Sequence, residues 1–192
     1  GFLDPRFRVA INFYGAPALE LKDFANYKPG LVFGASFQVT PPLGQYDSTK
    51  VINLGTNRWT FDPDIGFSKK IGHVTFDATI GATIVTENHD YYNGQTLAQD
   101  PIYSSQFNLS YDFGRGIWAA LGYTYYWGGQ TSINGAAKNT ELSNSRAGLT
   151  VALPINRNYS LKFNYSSGVT TRVGSSFNTL SVGLQYRWGG GL

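Results

Sequence analysis

The chain has 192 residues, of which 14% are charged and 16% are aromatic. Intrinsic disorder is excluded, because disordered chains combine few aromatic residues with a high charge density. The absence of cysteine excludes a disulfide scaffold and a thiolate metal site. The net charge is only +3 and the basic residues are scattered, so we expect no nucleic-acid partner.

Membrane-spanning helices are also excluded by the sequence. No run of apolar residues approaches the length that a transmembrane helix requires. Residues 1–5 do not have the pattern of a signal peptide. The mean hydropathy of −0.22 is compatible with one class of membrane protein, the β-barrel, whose strands alternate apolar and polar residues.

Alternation of apolar and polar residues is the dominant pattern along the chain. Between residues 74 and 84, for example, Phe76 and Ile80 alternate with Asp77 and Thr79. This period of two residues is typical of strands. It predicts nine strands, at 6–14, 31–40, 58–68, 74–84, 103–113, 117–127, 146–153, 159–165 and 180–188.

Two features of these strands favour a membrane barrel over a soluble β-protein. The apolar faces often end in aromatic residues, such as Phe13 or Trp188, as the girdles of membrane barrels do. The opposite faces carry Gly, Ser, Thr, Asn and Gln, which suit a wet lumen. A soluble sandwich or lipocalin-like barrel is the alternative, and it requires the apolar faces to point inward. We therefore predict a single domain over residues 1–192, an all-β antiparallel transmembrane β-barrel.

The connections between the strands alternate in length. Tight turns lie at 69–73, 114–116 and 156–158, whereas long polar segments lie at 41–57, 86–101, 128–145 and 166–176. Outer-membrane barrels have short periplasmic turns and long extracellular loops. The pattern therefore predicts the bacterial outer membrane as the location. It also makes residues 15–30 a periplasmic connection, with a short helix over 18–24.

The strand count has a consequence for closure of the barrel. An odd number of strands makes the first and the last run in the same direction, whereas single-chain bacterial barrels have an even number. An open edge in lipid would leave unpaired backbone groups. We expect at least one further strand before residue 1, in a barrel of about ten to twelve strands, or closure by another chain in an oligomer or larger assembly. A strand hidden within 16–30 is a third alternative.

Several short strings resemble a known family when they are taken together in order. They are Gly-Ala-Pro-Ala-Leu (15–19), Pro-Leu-Gly-Gln-Tyr-Asp (42–47), Asn-Leu-Gly-Thr-Asn-Arg-Trp (53–59), Gln-Asp-Pro-Ile-Tyr (99–103), Ser-Arg-Ala-Gly-Leu-Thr (145–150) and Gln-Tyr-Arg-Trp (185–188). The chain resembles the outer-membrane family of transporters assigned to the meta (MetA) pathway of phenol degradation. The resemblance implies a barrel that passes aromatic or hydrophobic compounds, family members longer at the N-terminus, and no catalytic residues. One departure is Asp64, where the family pattern suggests a glutamate.

Catalytic and metal chemistry have little support in the residues. The two histidines, His73 in a tight turn and His89 in a long loop, lack a nucleophile beside them on an inward strand face. Glu87, His89 and Asp90 lack the alternating oxygen ligands of a calcium loop. We therefore predict no enzyme, no metal site and no cofactor.

Charged residues at inward positions are the first set of candidate site residues. Strand parity places Arg8, Arg58, Asp62, Asp64, Asp77, Asp112, Arg146, Lys162 and Arg187 in the lumen. Such charges can orient solutes and set selectivity, or they can pair and fill a closed interior. The carboxylates of Asp62, Asp64 and Asp77 lie on adjacent strands, where they would repel one another unless Arg58 or another neighbour compensates.

Aromatic residues at inward positions form the second set. Tyr14, Trp118 and Tyr126 could stack with an aromatic solute, or could simply fill the lumen. The predicted function is passive passage of small hydrophobic or aromatic solutes, with outer-membrane lipid as the surrounding partner. The alternative is a non-conducting structural or interaction barrel that acts through its long loops or within a larger assembly.

Overall fold

The computed structural model describes residues 1–20, 23, 27–28 and 30–188. In the predicted helix over 18–24, residues 18–20 are not helical, and residues 21–22 and 24 lie outside the described residues, as do the glycines at 189–191. Within the described part of the chain, no helix is long and apolar enough to cross a membrane.

Thirteen strands are present in the described residues. They are β1 (Phe7–Tyr14), β2 (Leu31–Thr40), β3 (Thr60–Ile71), β4 (Val74–Val85), β5 (Asn88–Tyr91), β6 (Gln95–Gln99), β7 (Ile102–Gly114), β8 (Ile117–Gly128), β9 (Thr131–Ile133), β10 (Ala136–Ala137), β11 (Leu142–Pro154), β12 (Tyr159–Thr170) and β13 (Thr179–Tyr186). Nine of them form one antiparallel sheet in the order β1-β2-β3-β4-β7-β8-β11-β12-β13. This main sheet confirms the nine predicted strands and the all-β class.

The predicted tight turns join β3 to β4, β7 to β8 and β11 to β12. In the β7–β8 turn, Gly114, Arg115 and Gly116 all have positive φ angles, of 81°, 53° and 80°. Glycine adopts this conformation without the steric cost that a Cβ atom brings. These turns define the short-turn end of the main sheet. The opposite end, which carries the long connections, is the long-loop end.

A second sheet of four short strands, in the order β10-β9-β6-β5, lies in two of the segments predicted as long loops, 86–101 and 128–145. Both hairpins of this sheet turn at an Asn-Gly pair, Asn93-Gly94 and Asn134-Gly135, and all four residues have positive φ. Asn-Gly is a strong signal for a tight hairpin. No strands were predicted within these two long loops, although the sequence contained the signal.

The main sheet has one apolar face, and it is exposed. Val9 is 74% exposed and Leu180 is 75% exposed, while Ala152 is the only buried apolar residue in the described chain. A soluble sandwich or lipocalin-like barrel would turn these side chains inward. The structure therefore contradicts that alternative, because the apolar side chains do not form a core.

Aromatic rings are concentrated in two zones of the apolar face, as the sequence predicted. Towards the short-turn end, the Phe33 and Phe67 centroids are 5.8 Å apart. At the long-loop end, the Tyr103 and Trp127 rings stack at 5.7 Å. Eight residues separate Tyr103 from Tyr111 on β7, which is about 27 Å along a strand. Membrane barrels have an apolar band of comparable height between two aromatic girdles.

The main sheet has two open edges. In the described residues, β1 pairs only with β2 and β13 pairs only with β12. Because each neighbouring pair is antiparallel, the first and the ninth strand run in the same direction, as strand parity predicted. Closure by an upstream strand or by another chain stays a prediction.

Candidate functional site

The face of the main sheet opposite the apolar side chains carries most of the predicted charged residues. We call it the polar face, and it includes Arg8, Asp62, Asp64, Asp77, Asp112, Arg146 and Lys162. Directly paired residues of neighbouring strands share a face, and Arg8 pairs with Gln38, which in turn pairs with Asp62. Seven of the nine predicted charges therefore lie where strand parity puts them, while their role in selectivity stays a prediction.

On β3, the carboxylate of Asp62 is held by side chains from both neighbouring strands. Gln38 Nε2 donates a hydrogen bond to Asp62 Oδ2 at 3.0 Å. Thr83 Oγ1 donates to Asp62 Oδ1 at 2.6 Å. The two carboxylate oxygens therefore have partners without an ion pair.

Asp64, two residues further along β3, has a cation nearby. Ser36 Oγ donates to Asp64 Oδ2 at 3.1 Å, and Arg8 Nη2 lies 3.9 Å from the same oxygen. Gly81 on β4 provides the room, because a Cβ atom there would lie only 2.0 Å from Asp64 Oδ1. Of the two alternatives predicted, Arg58 or another neighbour, the compensating cation beside Asp64 is the neighbour Arg8.

The polar face of β11 and β12 has cations without carboxylate partners. The guanidinium of Arg146 lies 4.1 Å from the ring centroid of Phe177 and donates a 3.0 Å hydrogen bond to Ser166 Oγ. Lys162 Nζ lies 5.4 Å from the centroid of Trp118 on β8. Among the described residues, neither cation has a salt bridge. A ring face attracts a cation through its quadrupole but does not neutralise its charge.

A third group of polar contacts lies at the short-turn end. Lys70 Nζ is 3.9 Å from Asp112 Oδ2, and the Gly114 N–H donates to Asp112 Oδ1 at 2.8 Å. His73 Nδ1 lies 2.8 Å from the backbone oxygen of Asp112. His73 lies in the β3–β4 turn, and nothing in the sequence indicates its contact with β7, so no role was predicted for it.

Cavities follow the polar face across the sheet. One of about 270 Å³ lies beside Arg8 and Asp64. A second, of about 570 Å³, is lined by His73 and Trp118 at the short-turn end. A third, of about 290 Å³, is lined by Tyr126 and Arg146. The second volume falls within the usual range of small-molecule sites.

The three aromatic residues predicted to form a path are not brought together. A bulge in β1 after Asn12 places Tyr14 opposite Phe33, and the two rings contact at 5.9 Å. Tyr14 therefore lies with the apolar-face aromatics, and its predicted inward position was wrong. Trp118 and Tyr126 do lie on the polar face, but eight residues of β8 separate them, or about 27 Å. The two rings therefore cannot contact the same small solute together, because they lie at opposite ends of the sheet.

Two predicted charges lie beyond the strands. Arg58 precedes β3, and its Nη1 donates to Gln99 Oε1 of β6 at 3.0 Å. Burial lowers the pKa of Arg58, although Tyr46 and Tyr91 partly oppose the shift. Arg187 follows β13. At the short-turn end, its backbone N–H donates to the backbone oxygen of Asn158, and its backbone oxygen accepts a hydrogen bond from Asn158 Nδ2. Strict alternation placed both on strands because it does not show where a strand ends.

At the long-loop end, residues 41–59 pack with β5, β6, β9 and β10 into a unit that we call the loop cap. Its centre is Asn88, which is 1% exposed. Asn57 Nδ2 and the Asp90 N–H both donate to Asn88 Oδ1, at 2.9 and 3.0 Å, and Asn88 Nδ2 donates to Tyr46 Oη at 2.8 Å. These four residues join two connections that are far apart in sequence.

The segment before β1 is attached to the loop cap through Asp4. Its carboxylate accepts hydrogen bonds from the N–H groups of Gly44 and Thr56, both at 2.7 Å. Burial raises the pKa of Asp4, but these N–H groups lower it by more, so the pKa lies below its usual value. Elsewhere in the cap, hydrogen bonds from the Thr49 and Lys50 side chains lower the pKa of Asp47 to about 2.

The string Asn-Leu-Gly-Thr-Asn-Arg-Trp, which carried the most specific part of the family resemblance, therefore has a structural role. Thr56 binds Asp4, Asn57 binds Asn88 and Arg58 binds Gln99. From the sequence alone, the string indicated only the resemblance to the family. The structure shows that it joins the separate parts of the loop cap.

The residues considered for a metal site lie in β5, where His89 and Asp90 are found, or directly before it, as Glu87 does. His89 Nδ1 is 3.8 Å from Glu87 Oε2, and both side chains are more than half exposed. Over the part of the chain that the structure describes, no three His, Asp or Glu side chains are placed to hold a metal ion.

Comparison with known proteins gives one family match and one structural match of note. A family model described as "Putative MetA-pathway of phenol degradation" matches residues 1–187. The crystal structure of an outer membrane channel from Pseudomonas putida F1 is similar in fold, with a TM-score of 0.77 and 22% identity. The match covers 94% of this chain and 64% of the channel, so the chain spans less than two thirds of that protein. No curated protein matches the chain.

Proposed function

Because the chain belongs to the family described under the MetA pathway of phenol degradation, we propose that it forms part of an outer-membrane channel for small solutes, including aromatic and hydrophobic ones. Passage is passive and involves no catalysis. The observation that carries this proposal is the two-faced sheet. An exposed apolar face with aromatic zones lies opposite a polar face with charges and cavities.

The apolar face supports a membrane location. In water, exposure of so many large apolar side chains would be unfavourable, by about 25 cal/mol for each Å². In a bilayer, the same side chains contact lipid, and the strands satisfy one another's backbone groups. The fold shared with an outer membrane channel agrees with this interpretation.

The polar face supports passage along the inner side of a barrel. The carboxylates of Asp62 and Asp64 are held by neighbours, whereas Arg146 and Lys162 have aromatic neighbours and no salt bridge among the described residues. Cations without counter-charges raise the local concentration of anions. Next to β11 and β12 the path therefore favours anions. Next to β3 and β4 it favours cations, because the carboxylates of Asp62 and Asp77 also have no salt bridge among the described residues.

Planar-bilayer recording of the full-length protein tests this function. The double variant Arg146→Gln with Lys162→Gln removes the two polar-face cations. One unit charge at ~5 Å in water changes the energy of an ion by about 0.8 kcal/mol. Each removed charge should lower the local concentration of anions about fourfold, so the anion-to-cation permeability ratio of the double variant should fall by at least about this factor.

The matched control is Lys138→Gln with Arg157→Gln, which removes the same charge from two exposed positions, one directly after β10 and one in the turn between β11 and β12. This control should leave the reversal potential unchanged. A folded protein that gives no stepwise conductance would contradict the channel function.

A second candidate function is favoured by the loop cap. Its buried hydrogen-bonded centre makes the long connections an ordered surface. Such a surface suits recognition of a partner by a non-conducting barrel. A protein that is folded but electrically silent would support this second candidate over the first.

A further inference from the structure

The 570 Å³ cavity at the short-turn end combines groups that the function described so far does not use. Its walls include Trp118, His73, Lys70, Asp77, Asp112 and Arg115. They come from β3, β4, β7, β8 and the turns between them. Trp118 provides the apolar wall, and the other residues provide polar groups. A small number of polar groups beside an aromatic wall is the usual composition of a small-molecule site.

The hydrogen bond of His73 determines what its ring can offer to a ligand. The backbone oxygen of Asp112 can only accept, so Nδ1 must carry the hydrogen in the 2.8 Å contact between them. In a neutral imidazole the other nitrogen, Nε2, is then a hydrogen-bond acceptor. Nε2 has no partner among the described residues. The Tyr111 ring, 5.9 Å away, helps to hold the imidazole in this position.

Trp118 is also held in place. Lys162 Nζ lies 5.4 Å from its ring centroid. The strand that carries Trp118, β8, pairs with β7 on one side and β11 on the other. Aromatic rings in offset or edge-to-face contact attract one another beyond the effect of buried area. The cavity thus offers a fixed aromatic wall, and a planar aromatic ligand is favoured over an aliphatic one.

The charges around the cavity select against an ionic ligand. Lys70 and Arg115 contribute two positive charges, and Asp77 and Asp112 contribute two negative charges. Lys70 and Asp112 are already 3.9 Å apart, and Asp112 also accepts from the Gly114 N–H. An anion would meet the carboxylates and a cation would meet the basic groups. A neutral ligand avoids both penalties.

We infer that this cavity binds a neutral aromatic ring that carries a hydroxyl group, with the ring against Trp118 and the hydroxyl donating to His73 Nε2. The inference rests on the proposed passage of solutes along the polar face, because the cavity lies on that face. It assigns a binding site to one end of the path. His73 and Trp118 are its ligand-binding residues.

Four small molecules that differ in one feature each test the site. 4-Methylphenol has both the ring and the hydroxyl group, toluene lacks the hydroxyl group, 4-methylcyclohexanol lacks the aromatic ring, and 4-methylbenzoate is an anion. Calorimetric titration of the full-length protein in detergent, with empty micelles subtracted, measures binding. We expect 4-methylphenol to bind about tenfold more tightly than toluene, which is the size of effect that one hydrogen bond has. It should also bind more tightly than 4-methylcyclohexanol, which cannot stack on Trp118, and than 4-methylbenzoate, which meets the carboxylates.

Three variants assign the contacts. His73→Asn retains an amide N–H for the Asp112 oxygen but lacks Nε2, so it should lose the tenfold preference for 4-methylphenol over toluene. Trp118→Leu should weaken both ligands, and Trp118→Phe should restore most of the binding. The control His89→Asn, in the loop cap, should bind as the unmodified protein does. Electrophoretic heat-modifiability shows which variants have folded.

The outcomes separate this inference from the proposed function. Equal binding of 4-methylphenol and toluene, or a His73→Asn protein that keeps the preference, would overturn the inference. Stepwise conductance without binding would overturn the inference and leave the channel function intact. Binding by a protein that never conducts would overturn the channel function and leave the site as a ligand-binding site.

Discussion

The loop cap and the polar face satisfy their polar groups in different ways. In the cap, Asn88 is 1% exposed and its amide group is bonded to Asn57, Asp90 and Tyr46. On the polar face, the Arg8 side chain is 59% exposed although it lies near Asp64, and Lys162 has a ring as its neighbour. Buried polar groups must be paired because water cannot reach them. Groups beside a cavity keep their capacity to bind a solute.

The difference predicts which region tolerates substitution. A lost partner in the cap leaves a buried donor or acceptor without a replacement, whereas water replaces a lost partner on the polar face. The cap should therefore respond with a loss of stability. The polar face should respond mainly with a change in what passes or binds.

The largest effect is expected for Asn88→Ala in the cap. The substitution removes three hydrogen bonds from a buried site, so the free energy of opening the cap should fall by about 3 kcal/mol. Amide hydrogen exchange over 41–59 and 86–101 should accelerate by about 100-fold. His89→Ala, next in sequence but with an exposed side chain, is the control and should leave the exchange rates unchanged. Equal rates in the two variants would mean that Asn88 does not hold the cap together.

An intermediate effect is expected for Asp62→Ala on the polar face. Gln38 and Thr83 would lose their acceptor, but both are only partly buried, so the free energy of unfolding should fall by about 1 kcal/mol. Asp77→Ala removes a carboxylate with no hydrogen bond or salt bridge among the described residues. It should change the free energy of unfolding by less than about 0.5 kcal/mol. Urea unfolding followed by tryptophan fluorescence compares the two, and a larger loss for Asp77→Ala would refute the distinction.

The smallest effect is the response of the cap to acid. The pKa of Asp47 is about 2 in the folded protein, below its usual value of 3.8. The pKa of Asp4 is also lowered. A lowered carboxyl pKa stabilises the folded state above pH 3.8, and this stabilisation is lost as the pH falls towards 2. Protease cleavage within 41–59 should therefore increase over this pH range. Asp47→Asn should show a weaker pH dependence, and an unchanged one would exclude Asp47 as its source.

The face on which each site residue lies could be predicted from the sequence wherever apolar and polar residues alternate without interruption. Asp62, Asp64, Arg146 and Lys162 lie on the polar face as predicted, because alternate side chains of a strand point to opposite faces. Tyr14 was misplaced because a bulge inserts an extra residue and breaks the alternation. Arg58 was misplaced because the pattern continues past the end of the strand. The Asn-Gly pairs of the four-stranded second sheet indicate hairpins, but no hairpins were predicted there.

The strands, the composition of each face and the family could be read from the sequence, since all three depend on residues close together in the chain. Which residues meet across the strands depends on the tertiary structure. His73 reaches Asp112 over 39 positions of sequence, and Asn57 reaches Asn88 over 31. Contacts of this kind depend on strand register and on how the long connections fold back. No local pattern encodes that geometry, because it arises from the packing of the whole sheet.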